Sequence, residues 1–291
     1  MVNKWLIINT LSNERIITRT LRDLRIDTST INAGNLSVTA RCHLGVNMDD
    51  LLIKCYISRD TNRKQIYGCM LFKEELAVFS PSGNVEYIDI SISRWVEGEV
   101  LSTLLDKPNS NFAELSRRFD ILGYSLLQDE LVHCDIKPEN IVVNLDGSMS
   151  LIDNDAWWNE DWSSPERHEL GTYGYRAITS EKYTPAHYLK DYPIALISII
   201  LAALSWEYDT VRPLIHNEIL FNPGNDRRFH KAMESMKGVF KRAGDDIHYA
   251  ICEIITPKGI DGQQLMKRMH DSVYMRTSFE RSTGFGPIYD L

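Results

Sequence analysis

His133-Cys134-Asp135-Ile136-Lys137-Pro138-Glu139-Asn140, with Asp153 shortly after it, carries more chemical information than any other part of this sequence. Asp135 can accept a proton from a hydroxyl group, and Lys137 can neutralise charge on a transferred group. Asn140 and Asp153 offer the oxygen ligands that Mg²⁺ prefers. Phosphoryl transfer needs little more from a protein than an orienting carboxylate, metal ligands and cations. The stretch therefore indicates a phosphoryl-transfer site.

The flanking sequence predicts how this stretch is held. Apolar residues at helical spacing predict an amphipathic helix over Phe112–Leu131, which leads directly into His133. The segment 141–152 has two short β-rich runs around the turn residues Asn144-Leu-Asp-Gly147, and it predicts a hairpin. A hairpin at this place lets Asn140 and Asp153 face one cavity.

The first third of the chain is predicted to be mainly β-strand. Strands are expected at Leu36–Arg41 and at Leu51–Ile57, the second of which carries Lys54 in its middle. Helical spacing predicts a helix over Asp60–Leu76. A further strand pair follows in 77–95, around the turn Pro81-Ser-Gly-Asn84.

Long helical patterns dominate after residue 97, so the sequence predicts an α+β protein with two lobes and a boundary at that point. The 291 residues are 43% hydrophobic, which is enough for a packed core. A net charge of −8 argues against a protein that coats nucleic acid, because phosphate binding needs clustered Lys and Arg.

Cysteine usage and apolar runs point to the cytoplasm. The five cysteines are odd in number and lack metal-ligand spacing. The apolar run Trp5–Ile8 is too short for a signal-peptide core, and Ile194–Leu204 is shorter than the roughly 20 residues that span a bilayer. We therefore expect a cytoplasmic protein with no membrane insertion and no nucleic-acid partner.

The segment 133–140 resembles the protein-kinase catalytic loop, H-x-D-x-K-x-x-N. Gly171-Thr-Tyr-Gly-Tyr-Arg-Ala177 is similar to the substrate-facing G-T-x-x-Y-x-A segment of the same family. The chain is identified on these motifs as a divergent member of the eukaryotic-like Ser/Thr protein kinase superfamily. The resemblance covers most of the chain and implies a bilobal kinase fold with an N-lobe at 1–97, a C-lobe at 98–291, and ATP and Mg²⁺ as cofactors.

The resemblance also implies roles for individual residues. Asp135 would be the catalytic base, assisted by Lys137 and Thr172, with Asn140 and Asp153 as ligands of Mg²⁺ and nucleotide. Lys54 would contact the nucleotide phosphates and pair with an acidic residue at the end of the following helix. Helical phase leaves both Glu75 and Glu74 possible, with Glu75 preferred. The remaining nucleotide-binding residues implied are Gly34, in a reduced glycine loop, and the inter-lobe hinge residues Arg94, Trp95 and Val96.

Several positions depart from the family pattern. Asp153-Asn154-Asp155 replaces D-F-G, and the glycine loop keeps only Gly34. No A-P-E tripeptide follows Ala177, and Glu181 is a candidate for its glutamate. Cys134 stands where many kinases have an arginine that binds a phosphate group on the activation segment, here 156–170. We therefore predict that the protein is active without phosphorylation of this segment.

Several residues near the predicted site are expected to have structural rather than catalytic roles. His133 is expected to hold the loop by hydrogen bonds, and Asp191 to open the central helix and accept backbone N–H bonds from the catalytic loop. An aromatic cluster, Trp157, Trp158 and Trp162, is expected to provide packing contacts for the activation segment rather than bind substrate.

Ser/Thr protein kinase is the leading prediction, because Lys137 favours protein hydroxyls. A pseudokinase acting as a binding scaffold and a small-molecule kinase of the same fold are the alternatives.

Overall fold

The computed structural model describes residues 2–13, 15–34, 36–45, 49–58, 66–159, 170–179, 187–215 and 226–282. The chain forms two units, 1–96 and 97–291. The first is strand-rich and the second is mostly helical, so the predicted α+β class is confirmed. Glu181, the candidate for the glutamate of A-P-E, lies outside the described residues.

The described residues of the first unit form an antiparallel sheet and one helix. Its strand order is β1-β2-β3-β5-β4. Its elements are α1 (Lys4–Leu11), β1 (Leu24–Ala33), β2 (Ser37–Leu44), β3 (Leu51–Tyr56), β4 (Met70–Phe79) and β5 (Val85–Arg94). The predicted strands around 36–41 and 51–57 are confirmed, as is the turn between β4 and β5, where Gly83 has a φ of +85°.

One face of the sheet forms the core of the first unit. Side chains alternate along β2, and Val38, Ala40 and Cys42 are buried on one face. Ile7 and Leu11 of α1 belong to the same core. Asn3 caps α1, since its side-chain oxygen accepts a hydrogen bond from the N–H of Leu6 at 3.0 Å.

The helix predicted over Asp60–Leu76 is wrong in its described part, because Met70–Leu76 belongs to β4. A bulge interrupts the pairing of β4 with β5 between Phe72 and Leu76, and Glu74 within it has a φ of +47°. The bulge breaks the alternation of apolar residues, which leaves a spacing that looks helical. Segment 59–65 lies outside the described residues.

Helices build the second unit around a buried central helix. Its elements are β6 (Gly98–Val100), α2 (Leu101–Leu105), α3 (Phe112–Gln128), β7 (Val132–His133), β8 (Ile141–Asn144), β9 (Met149–Leu151), β10 (Trp157–Trp158), α4 (His187–Trp206), α5 (Tyr208–Ile215), α6 (Asp226–Ala243), α7 (Asp246–Ile254) and α8 (Gly262–Ser282). The predicted helix before His133 and the hairpin after Asn140 are confirmed as α3 and β8–β9.

Helix α4 is buried on all sides from Leu189 to Leu204. The stretch Leu189–Trp206 is long and apolar enough to span a membrane, and 89% of it is buried inside the protein. Core helices meet the same criterion, and α4 contributes much of the second unit's core. The helix also begins at His187, so Asp191 lies inside it and does not open it as predicted.

Candidate active site

A short segment carries the chain from α3 into the predicted catalytic loop, 133–140. Strand β7 pairs with β10, which places His133 opposite Trp157. The buried ring of His133 approaches the carbonyl of Ile152 with Nε2 at 2.9 Å, and its Nδ1 accepts the N–H of Asp135 at 3.4 Å. Burial lowers the pKa of His133, so the ring is neutral at neutral pH. Its contacts tie the loop to the residue just before Asp153.

Asp135 is the centre of a closed network of hydrogen bonds. Its Oδ1 accepts two, from the N–H and the hydroxyl of Thr172, both at 2.7 Å. Its Oδ2 lies 2.7 Å from Nζ of Lys137 and 3.1 Å from Nδ2 of Asn140. Lys137 also donates to the Thr172 hydroxyl at 2.8 Å. Three of the residues predicted to act with Asp135 therefore meet at its carboxylate.

The network determines the charge of Asp135. Burial pushes the pKa of this carboxyl upward, but hydrogen bonds from Lys137 and Thr172 outweigh burial, and the pKa is lowered. The carboxylate is therefore ionised at neutral pH. Such a weak base is suited to orienting an attacking hydroxyl group and taking its proton late in the reaction.

Glycine at position 171 allows Thr172 to reach Asp135. Gly171 has a φ of +82°, and a Cβ built there would lie 3.0 Å from the carbonyl oxygen of Cys134. A larger residue would need an unfavourable backbone conformation and would press on the catalytic loop. This glycine therefore supports the contact between the two segments.

Asn140 and Asp153 are brought together by the hairpin. The N–H of Ile152 donates to the carbonyl of Asn140 at 2.9 Å, and Asp153 is the next residue in the chain after Ile152. Nδ2 of Asn140 also donates to the Asp135 carbonyl at 2.8 Å. Because the backbone oxygen of Asn140 already binds Ile152, the side-chain Oδ1 is the oxygen that could bind a metal ion. Asp153 has a left-handed backbone, with φ +69° and ψ +65°. Non-glycine residues in this conformation occur disproportionately at functional sites.

The donor set fits a magnesium ion better than a transition metal. An amide oxygen and a carboxylate are hard ligands, and Mg²⁺ is commonly held by one or two protein groups together with phosphate oxygens. Among the described residues no three His, Cys, Asp or Glu side chains are grouped as a metal site. Asn140 and Asp153 stay the predicted ligands of Mg²⁺.

Trp157 and Trp158 pack within the second unit. Trp157 stacks edge-on against His133, with 5.1 Å between ring centroids. Trp158 packs against a small cluster of Val132, Cys134 and Leu189. These contacts agree with the packing interpretation of the two residues, whereas Trp162 lies outside the described part of the chain.

The first unit carries the other predicted nucleotide-binding residues. Lys54 lies on β3 between Thr39 and Ser91 of the adjacent strands, with Nζ 5.8 Å from the centre of the Tyr56 ring. Gly34 follows directly on β1.

At the end of β5, Arg94 is exposed, and Val96 is half-buried. Between them Trp95 donates its backbone N–H to the carbonyl of Asp50 at 2.9 Å. The roles implied for these residues stay predictions.

The assignment of Glu75 or Glu74 as the partner of Lys54 is wrong in its structural basis, since neither residue lies on a helix. Buried Glu75 accepts the N–H groups of Thr20 and Leu21 at 2.6 and 2.7 Å, and the Thr20 hydroxyl at 2.9 Å. Exposed Glu74 forms an ion pair with Arg19 at 3.2 Å. Within the described residues, both glutamates bind the segment before β1, and Glu75 forms no ion pair with Lys54.

The contacts of Asp191 also differ from the prediction. Within the described residues it makes no hydrogen bond with the catalytic loop. Its carboxyl instead lies at the start of α8, where a Cβ built on Gly262 would be 2.2 Å from Oδ2. Burial raises the pKa of Asp191 to about 6.

The contacts of Lys190, beside Asp191, were not predicted, because its partners are backbone carbonyls that no side-chain motif reveals.

No protein-family model matches the sequence, and no curated protein is significantly similar to it.

Proposed function

We propose that this protein is an ATP- and Mg²⁺-dependent phosphotransferase of the protein-kinase type, acting on Ser and Thr hydroxyl groups of other proteins. The observation that carries the proposal is the joint contact of Lys137 and Thr172 with the Asp135 carboxylate. The bilobal kinase fold is part of the same proposal. The α+β class and the helical second unit are compatible with it.

The residues of the network would divide the work of transfer. Asp135 would accept a hydrogen bond from the substrate hydroxyl and take up its proton. Lys137, held 2.7 Å from Asp135, would neutralise charge that develops on the transferred phosphoryl group. Thr172 would keep Asp135 in position through its two hydrogen bonds to Oδ1, and Lys137 through the hydrogen bond that its hydroxyl accepts. Positioning and electrostatic stabilisation are the main protein contributions in reactions of this class.

Nucleotide and metal binding follow from the resemblance together with the oxygen ligands of the second unit. Asn140 and Asp153 would hold Mg²⁺, and Lys54 would contact the nucleotide phosphates. When bound, the metal ion supplies neutralisation of phosphate charge.

A pseudokinase is the second candidate, and one observation favours it. Glu75, the preferred partner for Lys54, is occupied by Thr20 and Leu21. A scaffold protein could keep the fold without that ion pair. The intact network around Asp135 supports the enzyme instead, because a pure scaffold has no need of an oriented carboxylate.

A transfer assay with several acceptors tests the proposal. The full-length protein would be incubated with γ-labelled ATP, with and without Mg²⁺, and with casein, a basic protein mixture or small alcohols. We expect Mg²⁺-dependent label on Ser and Thr residues of the proteins. Label on the small alcohols alone would identify a small-molecule kinase. No transfer to any acceptor, with ATP binding retained, would identify a pseudokinase.

A further inference from the structure

Lys190 is a buried lysine whose charge faces backbone carbonyls. It lies near the start of α4 and is 5% exposed. Its ammonium group donates to the carbonyl of Leu126 at 2.8 Å and to the carbonyl of Asp129 at 2.5 Å. Lysine is rarely buried, because removing its charge from water is costly without compensating hydrogen bonds. These two contacts are the compensation.

The two carbonyls belong to the last turn of α3 and to the residue that ends it. Carbonyl groups at a helix C-terminus lack partners within the helix, and together they carry a partial negative charge. The helix has no basic residue of its own in its last turn. Lys190 supplies that positive charge from α4, and so fixes the end of α3.

From this fixed end the chain runs directly to Asp135. Oδ1 of Asp129 accepts the N–H of Leu131 at 2.9 Å, which tightens the turn after the helix. Strand β7 follows, and its Val132 packs with Cys134 against Leu189. Neighbouring residues of α4 thus hold the segment 129–135 at two places, through hydrogen bonds at its start and apolar contact near its end.

We propose that Lys190 is a positioning residue for Asp135. By binding the carbonyls at the end of α3, it fixes the position and the direction in which the chain enters the loop that carries Asp135. The inference rests on the proposed function for its catalytic consequence, but the contact itself can be tested without activity.

Replacement of the ammonium group provides the test. Lys190→Met keeps much of the side-chain length and removes the charge, whereas Lys190→Arg keeps a charged donor. Lys237→Met is the control, because Lys237 is a half-buried lysine that pairs with Glu234 and Glu253 elsewhere in the second unit. Where Lys190→Met does not fold, Lys190→Gln removes the charge and keeps an N–H donor.

Amide hydrogen exchange and kinetics would be measured on each full-length variant. We expect faster exchange confined to 129–137 in Lys190→Met, restored protection in Lys190→Arg, and no such change in Lys237→Met. The kcat should fall roughly 10-fold in Lys190→Met with the KM for ATP within about 2-fold, since a displaced catalytic group affects chemistry more than nucleotide binding.

Two results would overturn the inference. One is unchanged exchange over 129–137 in Lys190→Met, and the other is an equal increase across the whole second unit. If the wild-type protein transfers no phosphate, the proposed function fails, whereas the exchange pattern still decides whether Lys190 holds this segment.

Discussion

Thr172 joins the two charged side chains of the candidate site. Its hydroxyl group donates to Asp135 and accepts from Lys137, and its N–H also donates to Asp135. The residue thus orients a cation and an anion that would otherwise move independently. Because the contacts involve charged groups, each hydrogen bond contributes more than a neutral one.

Replacing Thr172 by valine should therefore lower phosphate transfer while the protein stays folded. Loss of a side-chain hydrogen bond to a charged group costs about 1.5–3 kcal/mol, which corresponds to a rate reduction of roughly 10–200-fold. Initial rates of transfer measure the effect.

Thr256→Val is the control for that substitution, because the Thr256 hydroxyl donates to the Gly259 carbonyl in an exposed turn. A Thr172→Val protein as active as the Thr256→Val protein would remove Thr172 from the site.

At the scale of helices, Gly123 permits the close approach of α3, α4 and α8. A Cβ built on Gly123 would lie 2.9 Å from Ile194 and 3.0 Å from Met269. Gly123→Ala should therefore destabilise the protein by about 1–3 kcal/mol through overpacking. Urea unfolding measures the change.

Gly238 in α6 offers the matched substitution. A Cβ there would meet only the flexible end of Arg242 at 3.3 Å. Gly238→Ala should stabilise the helix by about 0.5–1 kcal/mol, because alanine restricts the unfolded chain. Equal effects of the two substitutions would contradict the packing at Gly123.

Glu75 attaches the N-terminal segment to the sheet edge. Thr18 bridges Leu76 of β4, and the buried Glu75 carboxylate accepts three hydrogen bonds from Thr20 and Leu21. Glu75→Ala should cost about 2–3 kcal/mol of unfolding free energy, because it leaves the buried donors unsatisfied.

Glu74→Ala should cost at most about 1 kcal/mol, since Glu74 forms an exposed ion pair with Arg19. Thermal and urea unfolding of both variants compare the two glutamates. A larger loss of stability in Glu74→Ala than in Glu75→Ala would refute this division of roles.

Elements with a local signal were predictable from the sequence, and those defined by distant contacts were not. Helix α3 and the hairpin β8–β9 have regular apolar spacing and turn residues, so both were predicted. The first part of β4, Met70–Leu76, was predicted to be helical because its bulge at Glu74 disrupts the alternation, whereas the part from Ala77 was predicted as strand. The bonds of Glu75 to Thr20 join residues far apart in sequence, which no local pattern reveals.

The contacts of the candidate site also fall into those with a local sequence signal and those between residues far apart in the sequence. Asp135, Lys137 and Asn140 are close in sequence, and their grouping follows from one loop. The contact of Thr172 with Asp135 was inferred only through the family resemblance. Lys190 was missed because a lysine in an apolar helix carries no sign that it binds carbonyl groups of another helix.

At the scale of the second unit, a buried ion pair links helices that form its core. His248 lies 2.8 Å from Asp245, with Nδ1 towards Oδ2, and its Nε2 lies 3.4 Å from Oδ2 of Asp120. The Asp120 carboxylate also accepts hydroxyl hydrogen bonds from Ser198 at 2.7 Å and Ser272 at 2.5 Å. The network therefore connects α3, α4, α7 and α8.

This network should make stability depend on pH. Burial alone would lower the pKa of His248, but Asp120 and Asp245 outweigh it and raise the pKa to about 9. The unfolded chain releases this proton near pH 6.5, so the stabilisation is complete below that pH and is lost as pH rises through about 9. The loss should be on the order of 3 kcal/mol.

The difference in unfolding free energy between wild type and His248→Gln isolates this effect. Groups that do not contact His248 titrate equally in both proteins, and the difference should shrink between about pH 6.5 and 9. A difference independent of pH over this range would show that His248 is not protonated in the folded protein.

The whole proposal depends on Asp135 acting on the acceptor hydroxyl, and the rate of phosphate transfer by Asp135→Asn measures this. Asp146→Asn is the control, since Asp146 lies exposed in the turn between β8 and β9. We predict that Asp135→Asn loses on the order of 10²–10⁴-fold in rate, with ATP affinity nearly unchanged and Asp146→Asn fully active. An Asp135→Asn protein that keeps more than about a tenth of wild-type activity would contradict the assignment of Asp135 as the catalytic base.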